Sequence, residues 1–139
     1  MILDTKEYLD TVVELLAQGH RDVTVPVKGS SMVPFLHNGD VVYLNLPEGP
    51  AKRGDILLYL RPDGRYILHR VVRRRKRGLL MTGDAQQELE LIDEAQVRAT
   101  VTSARHLGRL LTPRSLRWLV YRHVWLWLRP IRHRLMKLR

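Results

Sequence analysis

Ser31 and His69 have the residue types and the settings that covalent catalysis needs. Ser31 lies in GSSMVP at 29–34, a turn-like segment between two predicted strands that would expose its hydroxyl. A serine hydroxyl is a weak nucleophile and needs a base within about 2.6–3.2 Å to take its proton. The imidazole of His69, in the predicted strand at 66–72, suits that task near neutral pH. Taken alone, a serine in a turn and a histidine on a strand are more often structural than catalytic. The surrounding sequence must therefore decide between these two roles.

The elements that would position these residues are mostly short strands. Six apolar runs between residues 22 and 103 are separated by turn residues, which predicts a β domain. Their sequences are VTVPV, DVVYLNL, DILLYL, YILHRVV, GLLM and VRATVTS. The turn RPDGR at 61–65 predicts that residues 55–72 form one hairpin, because proline presets φ and glycine accepts positive φ. The basic run at 73–77 is expected at the solvated tip of the next hairpin.

Residues 4–18 have the periodicity of an amphipathic helix. Asp4 and Glu7 are spaced like a capping box, and Gly19 supplies a stop signal. Because this segment is rich in charged residues, we expect no secretory signal peptide. Its apolar side is expected to carry Leu9, Val12, Val13 and Leu16.

Length and composition predict one folded domain. With 139 residues, 45% hydrophobic and 27% charged, the chain can bury a single core and is too apolar to be disordered. It has no cysteine, which excludes disulfides, thiolate nucleophiles and Cys-ligated zinc. Its histidines lack the HExxH type of ligand spacing, so the sequence predicts neither a metal site nor a cofactor. Besides His69 they are His20, His37, His106, His123 and His133.

The C-terminal tail carries the whole excess of positive charge. Residues 105–139 contain nine Arg, one Lys and no acidic residue, which equals the net charge of +10 and leaves residues 1–104 neutral. Residues 114–129 hold all three tryptophans, and this run is too short and too basic to span a bilayer. Residues 114–139 are therefore expected to contact a membrane surface. The alternative is packing on the β domain or on a second copy, and nucleic acid is the least favoured partner.

Three segments carry a family resemblance. They are KGSSMVPFLHNGD at 28–40, RGDILLY at 53–59 running into ILHRVV at 67–72, and MTGDA at 81–85. As an ordered set they resemble the conserved boxes of the type I signal peptidase family, which shares its fold with the self-cleaving repressors of the SOS response. The His-Arg-Val context at 69–71 resembles the archaeal and endoplasmic-reticulum members, which have histidine where most bacterial members have lysine. The resemblance covers about residues 23–104.

The residue patterns and the resemblance together predict a mainly β fold, a small β-barrel or coiled sheet of the signal-peptidase kind with a short N-terminal helix and a basic amphipathic C-terminal helix. We therefore expect three parts in the chain. These are an N-terminal helix at 1–20, a catalytic β domain at 21–104 and a basic helical tail at 105–139.

The resemblance also implies roles for individual residues. The serine before Met-x-Pro is the nucleophile of the family, so Ser31 rather than Ser30 takes that role, with His69 as the base. The backbone N–H of Ser31 is the expected oxyanion donor, and Gly29 stands where some relatives add a serine hydroxyl. Met32 and Val33 would line the pocket for the substrate residue before the cut. Substrate and oxyanion contacts are thus expected from Gly29, Ser30, Met32 and Val33.

The acid that would orient His69 departs from the family pattern. In the Ser-His type a pair of aspartates follows the Gly-Asp box, whereas here TGDA continues as QQELELIDE. Glu88 and Glu90 occupy the matching region, and Asp84 belongs to the box itself. We expect Asp84 or Glu90 to be the partner of His69, and a dyad without a carboxylate is an alternative.

The sequence as a whole predicts a serine endopeptidase that cleaves a specific precursor or leader peptide through an acyl-enzyme, with the substrate bound as an added strand. One alternative is a non-catalytic relative that binds a peptide or membrane partner. Another is a DNA-associated relative, but residues 1–20 offer one helix and no helix-turn-helix. Since the N-terminal anchor of signal peptidases is not expected, the prediction is a cytoplasmic protein, peripheral on the inner membrane surface.

Overall fold

Helix α1, Thr5–Ala17, is the first element in a computed structural model of the chain that describes residues 5–128. Its buried side chains are Leu9, Val12 and Leu16, which belong to the apolar face that the periodicity predicted. Gly19 follows the helix with a φ of 99°, a value that glycine adopts without strain. Asp4, the predicted first half of the capping box, lies outside the described residues.

Eight strands follow within residues 5–128, and they form one antiparallel sheet. In chain order they are β1 Val23–Pro26, β2 Val41–Asn45, β3 Ile56–Leu60, β4 Tyr66–Arg75, β5 Gly78–Thr82, β6 Glu90–Ile92, β7 Val97–His106 and β8 Arg109–Leu111. They are arranged β1-β2-β7-β3-β4-β5-β6, and β8 pairs with β7. The prediction of a mainly β fold with a helix at each end is confirmed.

The hairpin of β3 and β4 places His69. A turn at 61–65 joins the two strands, as the sequence predicted. The register sets Tyr59 opposite Ile67, two residues before His69. Because residues two apart on a strand share a face, Tyr59 and His69 are diagonal neighbours on one side of the sheet. The basic run at 73–77 is exposed at the tip of the next hairpin, also as predicted.

Strand β7 runs through the boundary that the sequence predicted between residues 104 and 105. The strand extends to His106, and β8 then pairs back with it as far as Leu111. The first part of β7 pairs with β3, and the later part pairs with β2. This boundary is corrected, because the β domain continues to Leu111 and the described helical part of the tail begins only after it.

Two apolar clusters stabilise the described residues. The larger one joins α1, the sheet, the segment after Ser31 and the C-terminal helix. Its buried members include Val12, Leu16, Met32, Phe35, Leu36, Val42, Leu44, Ile56, Leu58, Ala99, Val101 and Trp118. The smaller one consists of Ala51, Leu57, Tyr59, Val71, Leu79, Met81 and Ile92. Because the segment after Ser31 contributes to the larger cluster, packing fixes the chain directly beside the serine.

The C-terminal helix packs on the β domain with one of its sides. It begins as α2, Leu116–Leu119, and continues as a π-helical segment, Val120–Trp125. Trp118 is 2% exposed and meets the Phe35 ring edge to face, with ring centroids 5.3 Å apart. This inner side therefore follows the packing alternative that the sequence left open.

The outer side of the same helix is apolar and exposed. Its exposed apolar residues are Leu116, Leu119, Val120, Val124 and Trp127, and the exposed His123 lies between them in sequence. The largest exposed fractions are 78% at Leu116 and 74% at Trp127. No helix within residues 5–128 is long and apolar enough to cross a membrane. The last part of the predicted membrane-contacting run, residues 129–139, lies outside the described residues.

Candidate active site

Ser31 and His69 meet on the surface of the sheet. The hydroxyl Oγ of Ser31 lies 3.3 Å from Nε2 of His69, across 38 positions of sequence. Ser31 is half-buried, whereas His69 is only 6% exposed. The distance is slightly longer than the productive range of about 2.6–3.2 Å, which is common where no substrate is bound. The geometry therefore allows proton transfer from the hydroxyl to the imidazole.

The turn after β5 holds the Ser31 segment from the other side. The backbone N–H of Ala85 donates to the carbonyl oxygen of Ser31 at 2.9 Å. A Cβ atom at Gly83 would lie 2.3 Å from that same carbonyl oxygen and 3.1 Å from Nε2 of His69. Only glycine leaves room there, because the Cβ of any other residue would overlap the carbonyl oxygen of Ser31. Gly83 is thus required for the contact between Ser31 and His69.

The expectation that Asp84 orients His69 is corrected by the structure. Asp84 is completely buried, and both of its carboxylate oxygens accept hydrogen bonds from Arg70, at 2.8 Å from Nε and 2.9 Å from Nη2. Arg70 also donates from Nη1 to the carbonyl oxygen of Gly54 at 3.0 Å. A buried carboxylate must have its charge compensated, and this bidentate pair does so. Asp84 therefore supports the site as a structural residue.

Glu90, the other expected acid, reaches His69 through a tyrosine. Nδ1 of His69 lies 3.4 Å from the hydroxyl of Tyr59, and this hydroxyl donates to Oε1 of Glu90 at 2.7 Å. Arg61 holds Glu90 in place with two hydrogen bonds of 2.9 Å, from Nε and Nη2. The chain of contacts from Ser31 therefore continues through His69, Tyr59 and Glu90 to Arg61.

The sequence interpretation missed Tyr59, although a signal for it was present. The turn at 61–65 fixes the register of the β3–β4 hairpin, and that register makes Tyr59 the diagonal neighbour of His69. An aromatic hydroxyl at that position is within reach of the imidazole. The register of the predicted hairpin is therefore the signal that identifies Tyr59.

Burial of His69 favours the neutral form that a general base needs. Burial lowers the pKa of His69 from 6.5 to about 4, Glu90 opposes this shift, and Arg61 adds to it. Burial and Glu90 raise the pKa of the Tyr59 hydroxyl, which keeps its proton. The hydrogen bond from Arg61 lowers the pKa of Glu90, although burial acts against it. The imidazole is therefore neutral, and the carboxylate is charged, near neutral pH.

These protonation states also select the tautomer of His69. Since the proton of the Tyr59 hydroxyl points to Glu90, the hydroxyl oxygen faces the imidazole as an acceptor. Nδ1 of His69 then carries the hydrogen, and Nε2 presents its lone pair to Ser31. This is the tautomer that can accept the serine proton.

The remaining predicted site residues have varied surroundings. Gly29 has a φ of 85°, and its N–H donates to Oδ1 of Asn38 at 3.1 Å. Ser30 is exposed, and its carbonyl oxygen accepts from the N–H of Val33 at 3.1 Å. Met32 is 2% exposed and belongs to the core. Glu88 is exposed, and its carbonyl oxygen accepts from the Thr82 hydroxyl at 2.8 Å.

An apolar groove of about 450 Å³ is lined by residues that are next to Ser31 and His69 in sequence, whereas Ser31 and His69 do not line it. It is bordered by Met32, which follows Ser31, and by Leu68, which precedes His69. In the described part of the chain Val33 does not border it, contrary to its expected role beside Met32. Further bordering residues come from α1, β1 and β2, and they include Tyr8, Leu9, Val25, Val27, Val42 and Leu44.

A serine in contact with a buried neutral histidine is the arrangement of a serine hydrolase site. The sequence matches the family described as Peptidase S24-like over residues 2–102, and the chain belongs to this family. Membership indicates a serine peptidase that acts on a protein substrate. The match includes α1 and most of the sheet, and it ends before β8. Comparison with curated proteins and with solved structures gives no match.

Gly83→Ala should abolish the reactivity of Ser31, because the added methyl group displaces either the Ser31 carbonyl or the His69 ring. We expect the rate of labelling by a serine-directed acylating reagent, followed by intact-mass spectrometry, to fall at least about 10²-fold. Gly49→Ala is the matched control, because a Cβ there meets nothing within 4 Å. Equal labelling rates in both variants would contradict the close approach at Gly83.

Proposed function

We propose that this protein is a serine endopeptidase of the Ser-His signal-peptidase type that cleaves a precursor or leader peptide. Ser31 is the nucleophile in this proposal, and His69 is the general base. The observation that carries it is the 3.3 Å contact between Ser31 Oγ and His69 Nε2, with Nδ1 facing the Tyr59 hydroxyl. Family membership independently supports the peptidase class.

In the proposed mechanism, Ser31 Oγ attacks the scissile carbonyl carbon while its proton moves to His69 Nε2. The backbone N–H of Ser31 stabilises the developing oxyanion, and the imidazolium then protonates the leaving amine. Water, deprotonated by the same imidazole, hydrolyses the acyl-enzyme and releases Ser31. Glu90 stabilises the transient imidazolium through Tyr59, so Glu90 is the proposed acid, acting without direct contact.

The apolar groove supports an extended peptide as substrate. Strand β1 is at one end of the strand order, and Ser31 follows it by five residues, so a peptide that pairs with this edge would lead towards the hydroxyl. The side chains that enter the groove would meet apolar surface from Met32, Val25 and Leu68. We therefore propose a substrate with apolar residues before the cleaved bond.

Contact with an anionic membrane surface is proposed for the outer side of the C-terminal helix. Five exposed apolar side chains, together with the exposed His123, lie in the span from Leu116 to Trp127. The exposed Arg109 and Arg114 precede the helix, and residues 105–139 carry ten positive charges without an acid. Apolar side chains flanked by basic ones match the chemistry of an anionic interface. This contact would make the protein peripheral on the cytoplasmic face of a membrane.

Replacement of either proposed catalytic residue separates a peptidase from a non-catalytic peptide-binding relative. Ser31→Ala and His69→Ala should each reduce the cleavage of candidate precursor peptides, measured by mass spectrometry, at least about 10³-fold. The matched controls are Ser103→Ala, a serine of β7 outside the expected substrate contacts, and His20→Ala, an exposed histidine. If wild-type protein binds these peptides without cutting them and without acylation of Ser31, the non-catalytic alternative is correct.

The pH dependence should reveal the base and its partner. Because only the neutral imidazole accepts a proton, the rate of Ser31 acylation falls as the pH drops through the folded pKa of His69, and we expect this midpoint near pH 4 instead of 6.5. Tyr59→Phe should lower the plateau rate by about 10-fold to 100-fold, since it removes the hydroxyl between His69 and Glu90. Tyr43→Phe, in β2, is the control. A midpoint near 6.5 in wild type would exclude this environment for the base.

Membrane contact predicts sedimentation with anionic vesicles that weakens as salt rises. Leu116→Ser combined with Trp127→Ser should lower the partition coefficient at least about 10-fold, because both side chains leave the apolar phase. Leu46→Ser with Leu89→Ser is the control, since these exposed leucines lie elsewhere on the surface. Equal partitioning of the two double variants would refute the proposed face, and tighter binding to duplex DNA would favour nucleic acid instead.

A further inference from the structure

Two histidines and an aspartate come together at the far end of the segment that carries Ser31. His37 and Asp40 lie before β2, and His106 is the last residue of β7. One donor atom from each of the three lies within 4.8 Å of the others. None of them takes part in the proposed peptidase mechanism. We propose that this cluster binds one divalent transition-metal ion of the zinc type.

The distances between the donor atoms are near those that zinc requires. In a tetrahedral site with bonds of about 2.0–2.1 Å, neighbouring ligand atoms lie about 3.3–3.4 Å apart. Nδ1 of His106 lies 2.7 Å from Oδ1 of Asp40, and Nδ1 of His37 lies 3.9 Å from Oδ2 of Asp40. These two distances involve different carboxylate oxygens. For one donor atom from each residue the separations reach up to 4.8 Å, so the donors must close by up to about 1.4 Å through side-chain rotation.

The carboxylate of Asp40 is already held for this role. It is 6% exposed, and its Oδ2 accepts a hydrogen bond from the backbone N–H of His37 at 2.9 Å. Hydrogen bonds of this kind orient metal-binding carboxylates in known sites. The sheet fixes the other half of the site, because Val41 and Arg105 are paired across β2 and β7 and bring the adjoining residues together. Little chain entropy is therefore lost when the ion binds.

The two imidazole side chains are partly exposed, although Nδ1 of His37 itself is buried. The side chains of His37 and His106 are 40% and 24% exposed, and their ring centroids lie 5.0 Å apart. An ion would take one donor atom from each of the three side chains, with water as its fourth ligand. Two imidazoles and one carboxylate favour zinc over calcium or magnesium, which prefer oxygen ligands.

Sequence spacing gave no sign of this site because its donors come from distant segments. Asp40 and His106 are separated by 66 positions, and the sheet alone brings them together. Bound metal would tie the end of the Ser31 segment to β7. We therefore expect it to raise the unfolding temperature of the protein, since it binds the folded state only.

Equilibrium dialysis against Zn²⁺ with metal analysis, and the visible spectrum of the Co²⁺-loaded protein, test the proposal. Wild-type protein should hold one ion per chain, show the intense bands of tetrahedral cobalt and unfold at a higher temperature with zinc. His37→Ala should weaken binding at least about 10-fold and lose the cobalt bands. His37 is the side chain of choice because it is the most exposed of the three, so its loss leaves the fold intact.

The matched control is His20→Ala, which removes an exposed histidine outside the cluster and should bind zinc as wild type does. His106→Ala, checked for folding by circular dichroism, should behave as His37→Ala does. Wild-type protein that binds no zinc, or zinc binding that is unchanged in His37→Ala, would overturn the proposal. Since every readout is independent of peptide cleavage, failure here and failure of the peptidase proposal are separate outcomes.

Discussion

The buried ion pair between Arg70 and Asp84 is the interaction on which the candidate active site depends. Neither side chain has any exposure, and each ion would be costly to bury alone. Arg70 is the residue after His69, and Asp84 is the residue before Ala85, whose N–H holds the carbonyl of Ser31. The pair therefore joins the strand that carries the base to the turn that supports the nucleophile. A change in either ion would move both sides of the site relative to each other.

The same pair links the site to the C-terminal helix. The indole N–H of Trp125 donates to the carbonyl oxygen of Asp84 at 2.9 Å, and Arg122 donates from Nη2 to Oδ1 of Asp55 at 2.8 Å. The sequence match to the family ends at residue 102, before this helix. A segment outside the matched region thus supports the turn beside Ser31, and the tail serves the described fold as well as the proposed membrane contact.

The sequence predicted what depends on local pattern, and it missed what depends on long-range pairing. Periodicity, turn chemistry and family resemblance are local signals. They predicted helix α1, the β3–β4 hairpin and the candidate pair Ser31 and His69. The group beside His69 could not be predicted from local signals, because Asp84 and Glu90 are both near it in sequence. Only the register of the sheet decides that Arg70 takes one carboxylate and that Tyr59 connects the other. The predicted boundary between residues 104 and 105 differs from the structure, because the basic residues of the tail begin inside β7.

Helix α1 forms one wall of the groove while its other side chains hold the core. Tyr8 faces the groove, whereas Val12 and Leu16 pack in the larger apolar cluster. Asp10 accepts a hydrogen bond from the Tyr66 hydroxyl at 2.5 Å, which attaches the helix to β4. Groove lining and core packing therefore share this short element, because Tyr8 also packs against the larger apolar cluster. If the groove receives the substrate as proposed, new cleavage preferences that arise at Tyr8 during evolution would be limited by the packing of the core.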